Sequence, residues 1–442
     1  MTLSWTLGDV AAATGGRVVG EAASPVRGVT TDSRSVGAGL IFVALRGEHF
    51  DGHDFAVDAV DAGAVAAVVQ PGLAVTPRVE VDDTSAALRD LGAARRRELV
   101  CPVVAVTGST GKTSTKDMLA ATLPGSTASQ RSYNNEIGVP LTVLGTPDDA
   151  PYLVLEVGSR GRGHIAWLAP AVRPDVAIIT NLGVVHLETF GTEDVLADSK
   201  WELVEALGAN GTAVLPVDEP RLLRSHRGGT MTFGAAPTAD VFVSDVEIDE
   251  EARTRCVLHT PVGTVDVVLS MAGGHQALNA AAATAASLAV GVPLETVAEG
   301  LGAATGSAWR MEIHRGRITV VNDAYNANPD SVLAALRTVA ELPGRHIAVL
   351  GKMAELGPVE AEEHRRMGAE ARRLGYATLV AVGEDPGYAA GAGDIAVAVP
   401  DTDAARTLLD DSMRKGDVVL VKASRSVGLE QLALELVEDG DA

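Results

Sequence analysis

Residues Thr107-Gly108-Ser109-Thr110-Gly111-Lys112-Thr113 carry the side chains and the spacing of a polyphosphate cradle. An apolar β-run at 103–106 precedes them and a helical pattern at 115–123 follows. A Gly-rich turn between a strand and a helix aims unpaired backbone N–H groups at an anion, and the helix dipole adds to them. The lysine suits β- and γ-phosphates, and the following Thr hydroxyl suits Mg²⁺. The strict pattern G-x-x-x-x-G-K-[ST] needs Gly six places before the lysine, where this chain has Val106. The competing reading is an ordinary Gly-rich turn from strand to helix.

A second group of polar residues sits at predicted strand ends. Glu156 ends the run 153–155, and Asn181 and His186 follow the run 176–180. Open α/β sheets hold ligands beyond the carboxyl ends of their strands. Thr113, Glu156 and His186 could therefore meet at one sheet edge and hold one or two Mg²⁺ ions on nucleotide phosphates. Taken singly, Glu156 reads equally as a surface or capping residue, and His186 as a surface one. Lys200 lies on a helix starting near Glu193, and either serves this site or pairs at the surface with Glu193 or Glu205. Only six of the 36 basic residues are lysine (Lys112, Lys116, Lys200, Lys352, Lys415 and Lys422), so a lysine here has a raised chance of being needed as an amine.

Two further loops are rich in hydrogen-bonding groups. The segment Asn322-Asp323-Ala324-Tyr325-Asn326-Ala327-Asn328-Pro329 follows a predicted strand and leads into a helix with Pro in its first turn. It is either a ligand wall or a turn with an Asn cap. Near the N-terminus, Thr30-Thr31-Asp32-Ser33-Arg34 and the stretch Leu45-Arg46-Gly47-Glu48-His49-Phe50-Asp51-Gly52-His53 flank one predicted strand. Each carries an Arg, which suits an anionic, diphosphate-bearing molecule, or else both are solvated loops.

The elements that position these residues fall into three α/β units, at residues 1–98, 99–312 and 313–442. The first has strands at 26–29, 40–45 and 65–69 and helices at 54–61 and 84–97. In the second, strands at 103–106, 153–157, 176–180 and 212–215 alternate with helices such as 195–207, which predicts a mainly parallel, doubly wound sheet. Alternating patterns within 231–270 predict antiparallel strands there, followed by a packed Ala-rich helix at 279–289. The third is a Rossmann-like unit with strands at 318–321, 347–350, 379–382 and 418–421. Hydrophobic residues make up 46% and aromatic residues 3%, so the cores must be built from Ala, Val and Leu. A net charge of −22 argues against nucleic acid or an anionic membrane as partner. Two cysteines, no signal-peptide pattern and no long apolar stretch lead us to expect a cytoplasmic, reduced protein without membrane insertion. We expect a monomer.

Together these segments resemble the Mur ligase family over the whole chain. Thr31-Asp32-Ser33-Arg34, the run Phe42 to His53, the loop Gly108 to Thr113, Asn134-Asn135-Glu136-Ile137-Gly138-Val139-Pro140, Asp323 to Pro329 and Leu420 to Ser426 all follow its motifs. The 134–140 and 323–329 segments are similar to the dipeptide-adding branch. The resemblance implies an ATP-dependent amide ligase of peptidoglycan synthesis that joins D-alanyl-D-alanine to UDP-N-acetylmuramoyl-tripeptide through an acyl phosphate. It implies a first domain for the UDP substrate, a central ATP-binding domain and a C-terminal domain closing over both. By the same resemblance Lys112, His186 and Lys200 are catalytic. Thr107, Gly108, Ser109, Thr110, Gly111, Lys112, Thr113, Asn279, Arg310 and Asp323 bind ATP. Ser33, Arg34, Arg46, Asp51, His53, Asn134, Asn135, Tyr325, Asn326 and Asn328 bind substrate. Thr113 and Glu156 hold one Mg²⁺, and His186 and Lys200 a second, with Lys200 carbamylated by CO₂. The chain departs from the family pattern at Gln276, where Asn is usual, and at Lys352, where Asp is usual; Glu355 is retained. Folate ligases fit less well because of the first domain, and a catalytically silent nucleotide binder fits less well because Lys112, Glu156, His186 and Lys200 are all present.

Overall fold

In the computed structural model, residues 3–47, 49–130, 133–183, 190–383 and 386–440 are described. Three large sheets organise them. The first has five strands, in spatial order Arg17–Val19, Arg78–Glu80, Ala66–Val69, Leu40–Val43 and Gly28–Thr30. Gly28–Thr30, Leu40–Val43 and Ala66–Val69 are parallel, so the 31–34 and 46–53 loops leave the same edge of the sheet. A small antiparallel pair, Trp5–Thr6 with Pro25–Val26, lies beside it.

The second sheet has nine strands. Its order is Gly263–Ala272, Arg253–Thr260, Val241–Ile248, Gly229–Gly234, Thr212–Pro216, Val176–Ile179, Val103–Thr107, Leu153–Glu156 and Thr127–Ala128. The pairings are parallel except the two joining Val241–Ile248, Arg253–Thr260 and Gly263–Ala272. The antiparallel expectation for 231–270 is therefore corrected at its start. Gly229–Gly234 runs parallel to both neighbours, and only the tight turns after 248 and 260 reverse the chain. Val103–Thr107 lies between Val176–Ile179 and Leu153–Glu156, which puts Thr107, Glu156 and Thr180 at adjacent carboxyl ends.

The scarcity of aromatics shows in how this sheet is covered. Helix Gln276–Ala289 buries every residue from Ala280 to Ser287. Its small side chains allow close approach to helix Lys112–Thr122, and Thr122 Oγ1 and Ser287 Oγ meet at 2.8 Å in the contact. Larger residues fill the remaining space, such as Met118 and Leu119, both fully buried; burial of a leucine contributes about 2 kcal/mol. Helix Leu294–Ala303 packs on the same helix, with Gly300 against the carbonyl of Ala121.

The third sheet has six strands, in order Glu312–Arg315, Thr319–Asn322, Asp417–Lys422, Arg345–Leu350, Thr378–Val382 and Ala396–Val399. Only the first pairing is antiparallel. Asn322 and Lys422 end neighbouring parallel strands, so the 322–328 loop and the 422–425 segment lie together. Among the described residues, no helix is long and apolar enough to cross a membrane.

Candidate functional site

The phosphate-type loop owes its shape to the neighbouring strand. Gly108 has φ +145°, and a Cβ there would run into Thr180 Oγ1. Gly111 caps helix Lys112–Thr122 with φ +77°, and a Cβ there would strike Asn279 Oδ1. Thr180 Oγ1 donates to the Thr110 carbonyl at 2.5 Å. The Asn181 side chain accepts from Thr110 N–H at 2.9 Å and donates to Thr110 Oγ1 at 2.5 Å, while its carbonyl accepts from Ser109 N–H at 3.1 Å. The loop is thus held open as a cradle before any anion arrives. Lys112 Nζ folds back on the carbonyls of Gly108 and Ser109, at 2.8 and 3.1 Å.

Buried charge surrounds the cradle. Glu156 is fully buried; its Oε1 accepts from Asn134 Nδ2 at 2.7 Å, and its Oε2 has no partner among the described residues. A buried carboxylate oxygen without a donor is costly, and it is a position a cation would satisfy. Lys200 is 2% exposed. Its nearest ring contact is Phe190, 5.6 Å from Nζ, and no hydrogen bond from its ammonium is found among the described residues. The surface-pair reading of Lys200 is excluded by that burial. Glu193 pairs instead with Arg221, and Glu202 caps helix His164–Val172 by accepting from Gly163 N–H and Ala166 N–H at 2.6 and 2.9 Å. Burial pushes the Lys200 amine well down, with the nearby Lys112 adding to the effect and Glu202 opposing it. Burial also lowers Lys112, opposed by Glu156 and assisted by Arg310.

The facing wall comes from the third sheet. Lys422, also 2% exposed, donates to Asp323 Oδ2 at 2.6 Å and to the Asn326 carbonyl at 2.9 Å. Asp323 Oδ1 accepts from Met311 N–H at 3.1 Å. Arg310 stacks over Tyr325 with its guanidinium 4.2 Å from the ring centre. Trp309 and Met311, on either side of Arg310, both have positive φ, 61° and 52°. Strained backbone at a non-glycine persists where surrounding contacts fix it, and here those contacts aim one side chain.

The two walls enclose a cavity of about 720 Å³. The predicted residues Ser109, Thr110, Gly111, Lys112, Thr113, Asn134, Asn135, Glu156, Lys200, Asn279, Arg310, Asp323, Tyr325, Asn326 and Asn328 all border it. Thr107 and Gly108 lie beneath as the loop's base, both buried. Asn328 borders the cavity, yet its side chain accepts from Ser331 N–H at 2.9 Å and caps helix Pro329–Ala340, which is the turn-and-cap reading of that residue. Asn279 donates from Nδ2 to Gln276 Oε1 at 2.8 Å, so the unusual Gln276 orients the Asn279 amide. His186 lies outside the described residues. Lys422 and Asn181 were not singled out as site residues from the sequence; the rarity of lysine was the available signal for Lys422.

A second cavity, of about 580 Å³, shares Asn135, Arg310 and Tyr325 with the first and reaches Thr31 of the first sheet. Ser33, Arg34, Arg46, Asp51 and His53 border neither. They form self-contained clusters on the first sheet's edge. Arg34 grips Asp32 through Nε and Nη2 at 2.9 and 2.8 Å, and these bonds draw the Asp32 carboxyl down to about 2. Arg46 and His53 both meet Asp51, at 2.8 and 2.6 Å, and the His53 bonds hold its carboxyl well below the usual range. Gln70 N–H donates to His53 Nε2 at 3.1 Å, so the ring proton sits on Nδ1 and points at Asp51.

This geometry has counterparts in known proteins. Three family models match in sequence: "Mur ligase family, catalytic domain" at residues 25–96, "Mur ligase middle domain" at 106–287, and "Mur ligase, glutamate ligase domain" at 309–425. The UDP-N-acetylmuramoyl-tripeptide–D-alanyl-D-alanine ligase of Mycobacterium leprae (strain TN) is 39% identical over 93% of this chain and 93% of its own. The chain belongs to the Mur ligase family. Among Mur ligases of known structure, MurF from Acinetobacter baumannii superposes with a TM-score of 0.91 at 32% identity, over 99% of each chain. The MurF ligase of Thermotoga maritima in complex with ADP gives 0.85 at 29% identity, over 94% of this chain and 98% of that one. This Mur ligase therefore matches those enzymes in fold over nearly its whole length.

Proposed function

We propose that this chain is an ATP-dependent amide ligase that joins D-alanyl-D-alanine to UDP-N-acetylmuramoyl-tripeptide, giving ADP, phosphate and UDP-N-acetylmuramoyl-pentapeptide. One observation carries the reading: a phosphate cradle with the half-buried Lys112 and the buried Lys200 on one wall faces an aspartate, an arginine and the buried Lys422 on the other, and the cavity between them adjoins a second one that reaches Thr31. ATP takes the cradle, with Asn279 at the adenine, Asp323 at the ribose and Arg310 at the phosphates. UDP is held on the first sheet's edge by Ser33, Arg34, Arg46, Asp51 and His53. The peptide then runs through the second cavity past Asn135 and Tyr325 and enters the first beside Asn134, Asn326 and Asn328.

The tripeptide carboxylate attacks the γ-phosphorus, the bond to the β-phosphate oxygen breaks, and ADP leaves. The neutral amine of D-alanyl-D-alanine attacks the acyl carbon. The tetrahedral species loses the amine proton and expels phosphate through C–O cleavage. Both nucleophile and phosphate are anionic at the start, so Lys112 and Arg310 lower their repulsion while the walls fix the approach.

The donor set fits a nucleotide-borne Mg²⁺. Glu156 Oε2 is buried without a partner among the described residues, and Thr113, in the first turn of helix Lys112–Thr122, lines the same cavity. An Mg²⁺ held by one or two protein oxygens keeps waters and phosphates as its other ligands. Such an ion neutralises phosphate charge when bound. Lys200 supplies a buried amine whose pKa burial lowers, which favours the neutral form that adds to CO₂, and a carbamate there would hold a second ion together with His186.

The test mixes the protein with ATP, Mg²⁺, UDP-muramoyl-tripeptide and D-alanyl-D-alanine. Phosphate release that requires both acceptors, with a pentapeptide product by mass, supports the reading. Release with a folate and glutamate instead sinks it.

A further inference from the structure

The Lys112–Thr122 helix carries a carboxylate that the reaction outlined above leaves unused. Asp117 Oδ2 accepts from both the backbone N–H and the hydroxyl of Ser307, at 2.9 and 2.8 Å. Lys116 Nζ lies 2.5 Å from its other oxygen, and Lys116 is 4% exposed. This is a charge-assisted, two-point grip on a residue 190 positions away, with a buried cation behind it.

Ser307 lies in the segment that leaves helix Leu294–Ala303 and enters the six-stranded sheet at Glu312. Three carboxylates pin that segment, Glu312 among them, its Oε2 accepting from Trp309 N–H at 3.1 Å. Asp117 holds Ser307, and Asp323 holds Met311 N–H at 3.1 Å. Between the pins stands Arg310, flanked by the positive-φ residues Trp309 and Met311. Ser307 and Arg310 also line the second cavity together. Five residues separate Lys112 from Asp117, roughly 7–8 Å along the helix axis. The helix that begins at the cradle is therefore tied directly to Ser307, three residues from Arg310.

We propose that Asp117 is a positioning residue for ligation: by gripping Ser307 it fixes where Arg310 stands relative to the phosphate loop. The proposal rests on the function given in the preceding subsection. It does not require Asp117 to touch nucleotide, and Asp117 borders neither cavity.

A double-mutant cycle tests it. Wild type, Asp117→Ala, Arg310→Ala and the double variant are assayed for kcat and for the KM of ATP and UDP-muramoyl-tripeptide, with ADP binding and melting as checks on folding. Misplacing a reacting group by about 1 Å can cost on the order of 100-fold in rate, so Asp117→Ala should lose on the order of 10–100-fold in kcat. Its KM for ATP should stay within about twofold, because the cradle is held by Thr180 and Asn181. In the Arg310→Ala background, Asp117→Ala should cost less than about twofold more, since both losses share one cause. Asp117→Asn keeps an acceptor oxygen for Ser307 and should recover to within about threefold of wild type. If Asp117→Ala fails to bind ADP or to melt cooperatively, Ser307→Ala replaces it in the same cycle, with a smaller loss and the same lack of additivity. Losses that multiply, or a large rise in the KM for ATP with kcat unchanged, overturn the role of Asp117. A wild-type protein that binds ADP but forms no pentapeptide overturns the ligase reading, and this proposal with it.

Discussion

The nucleotide wall and the first sheet's edge both present positive charge, but in opposite ways. Lys112 and Lys200 on that wall and Lys422 on the facing one line the cavity, and burial lowers all three. At the edge, Arg34 and Arg46 have side chains 88% and 67% exposed, each clamped to an aspartate a few residues away. A buried ammonium is costly to hold, and its protonation responds to what stands beside it. An exposed guanidinium is always charged, cheap to keep and pre-aimed by its partner. On the proposed function, the buried amines serve the chemistry and the exposed arginines of the edge serve capture of the substrate's diphosphate. Loss at the wall should strike turnover, and loss at the edge should strike capture.

Lys112→Ala tests the wall most severely. Removing a preorganised charge at a reacting phosphate should cost on the order of 10²–10³-fold in kcat; a change confined to the KM for ATP would erase the distinction between wall and edge. Lys200→Ala comes next, with loss of turnover and partial return on adding a short carboxylate such as acetate. Full activity with no carboxylate present would refute a carbamate at that position. A smaller effect is expected from Arg46→Ala: loss of one charge-assisted hydrogen bond should raise the KM for UDP-muramoyl-tripeptide by about tenfold with kcat held. Its melting temperature should hardly move, since an exposed ion pair contributes little.

The smallest effect lies away from both regions. His364 is fully buried, and its Nε2 accepts from Met353 N–H at 2.9 Å, so burial pushes its imidazole down to about 4. The unfolded chain takes up that proton below about 6.5 while the folded chain does not. Stability from this group is therefore complete above about 6.5 and is lost as pH falls toward 4. In His364→Gln, the fall of melting temperature across that window should be shallower by a few degrees; an unchanged slope would show that the histidine titrates freely in the fold.

What the sequence made legible was local. The loop 107–113 announces itself because a strand, two glycines, a lysine and a helix are contiguous. The parallel order around Val103–Thr107 follows from alternating apolar runs and helical spacings, and Glu156 is readable as a strand end. Residues that act through distant meetings left little trace. Asn181 was noted as a strand-end residue, but its grip on Thr110 depends on two strands lying side by side. Lys422 needs Asp323, 99 positions earlier, before its burial makes sense. Asp117 has no signal in its own segment at all. The Asn322–Asn328 loop divided between both of its readings, with Asn328 serving as a cap while Tyr325 and Asn326 line the cavity. Strands Thr127–Ala128 and Glu312–Arg315 escaped because two or four residues carry too little periodicity to stand out.

The central claim is that this wall activates a peptide carboxylate by phosphorylating it, and isotope transfer tests that most directly. UDP-muramoyl-tripeptide labelled with ¹⁸O in its terminal carboxylate is turned over with ATP and D-alanyl-D-alanine, and the released phosphate is weighed. Through an acyl phosphate, one carboxylate oxygen leaves on phosphorus, so phosphate should carry a single ¹⁸O for each amide formed. Phosphate free of label, with one ¹⁸O lost to water and the other kept in the new amide, would contradict this route.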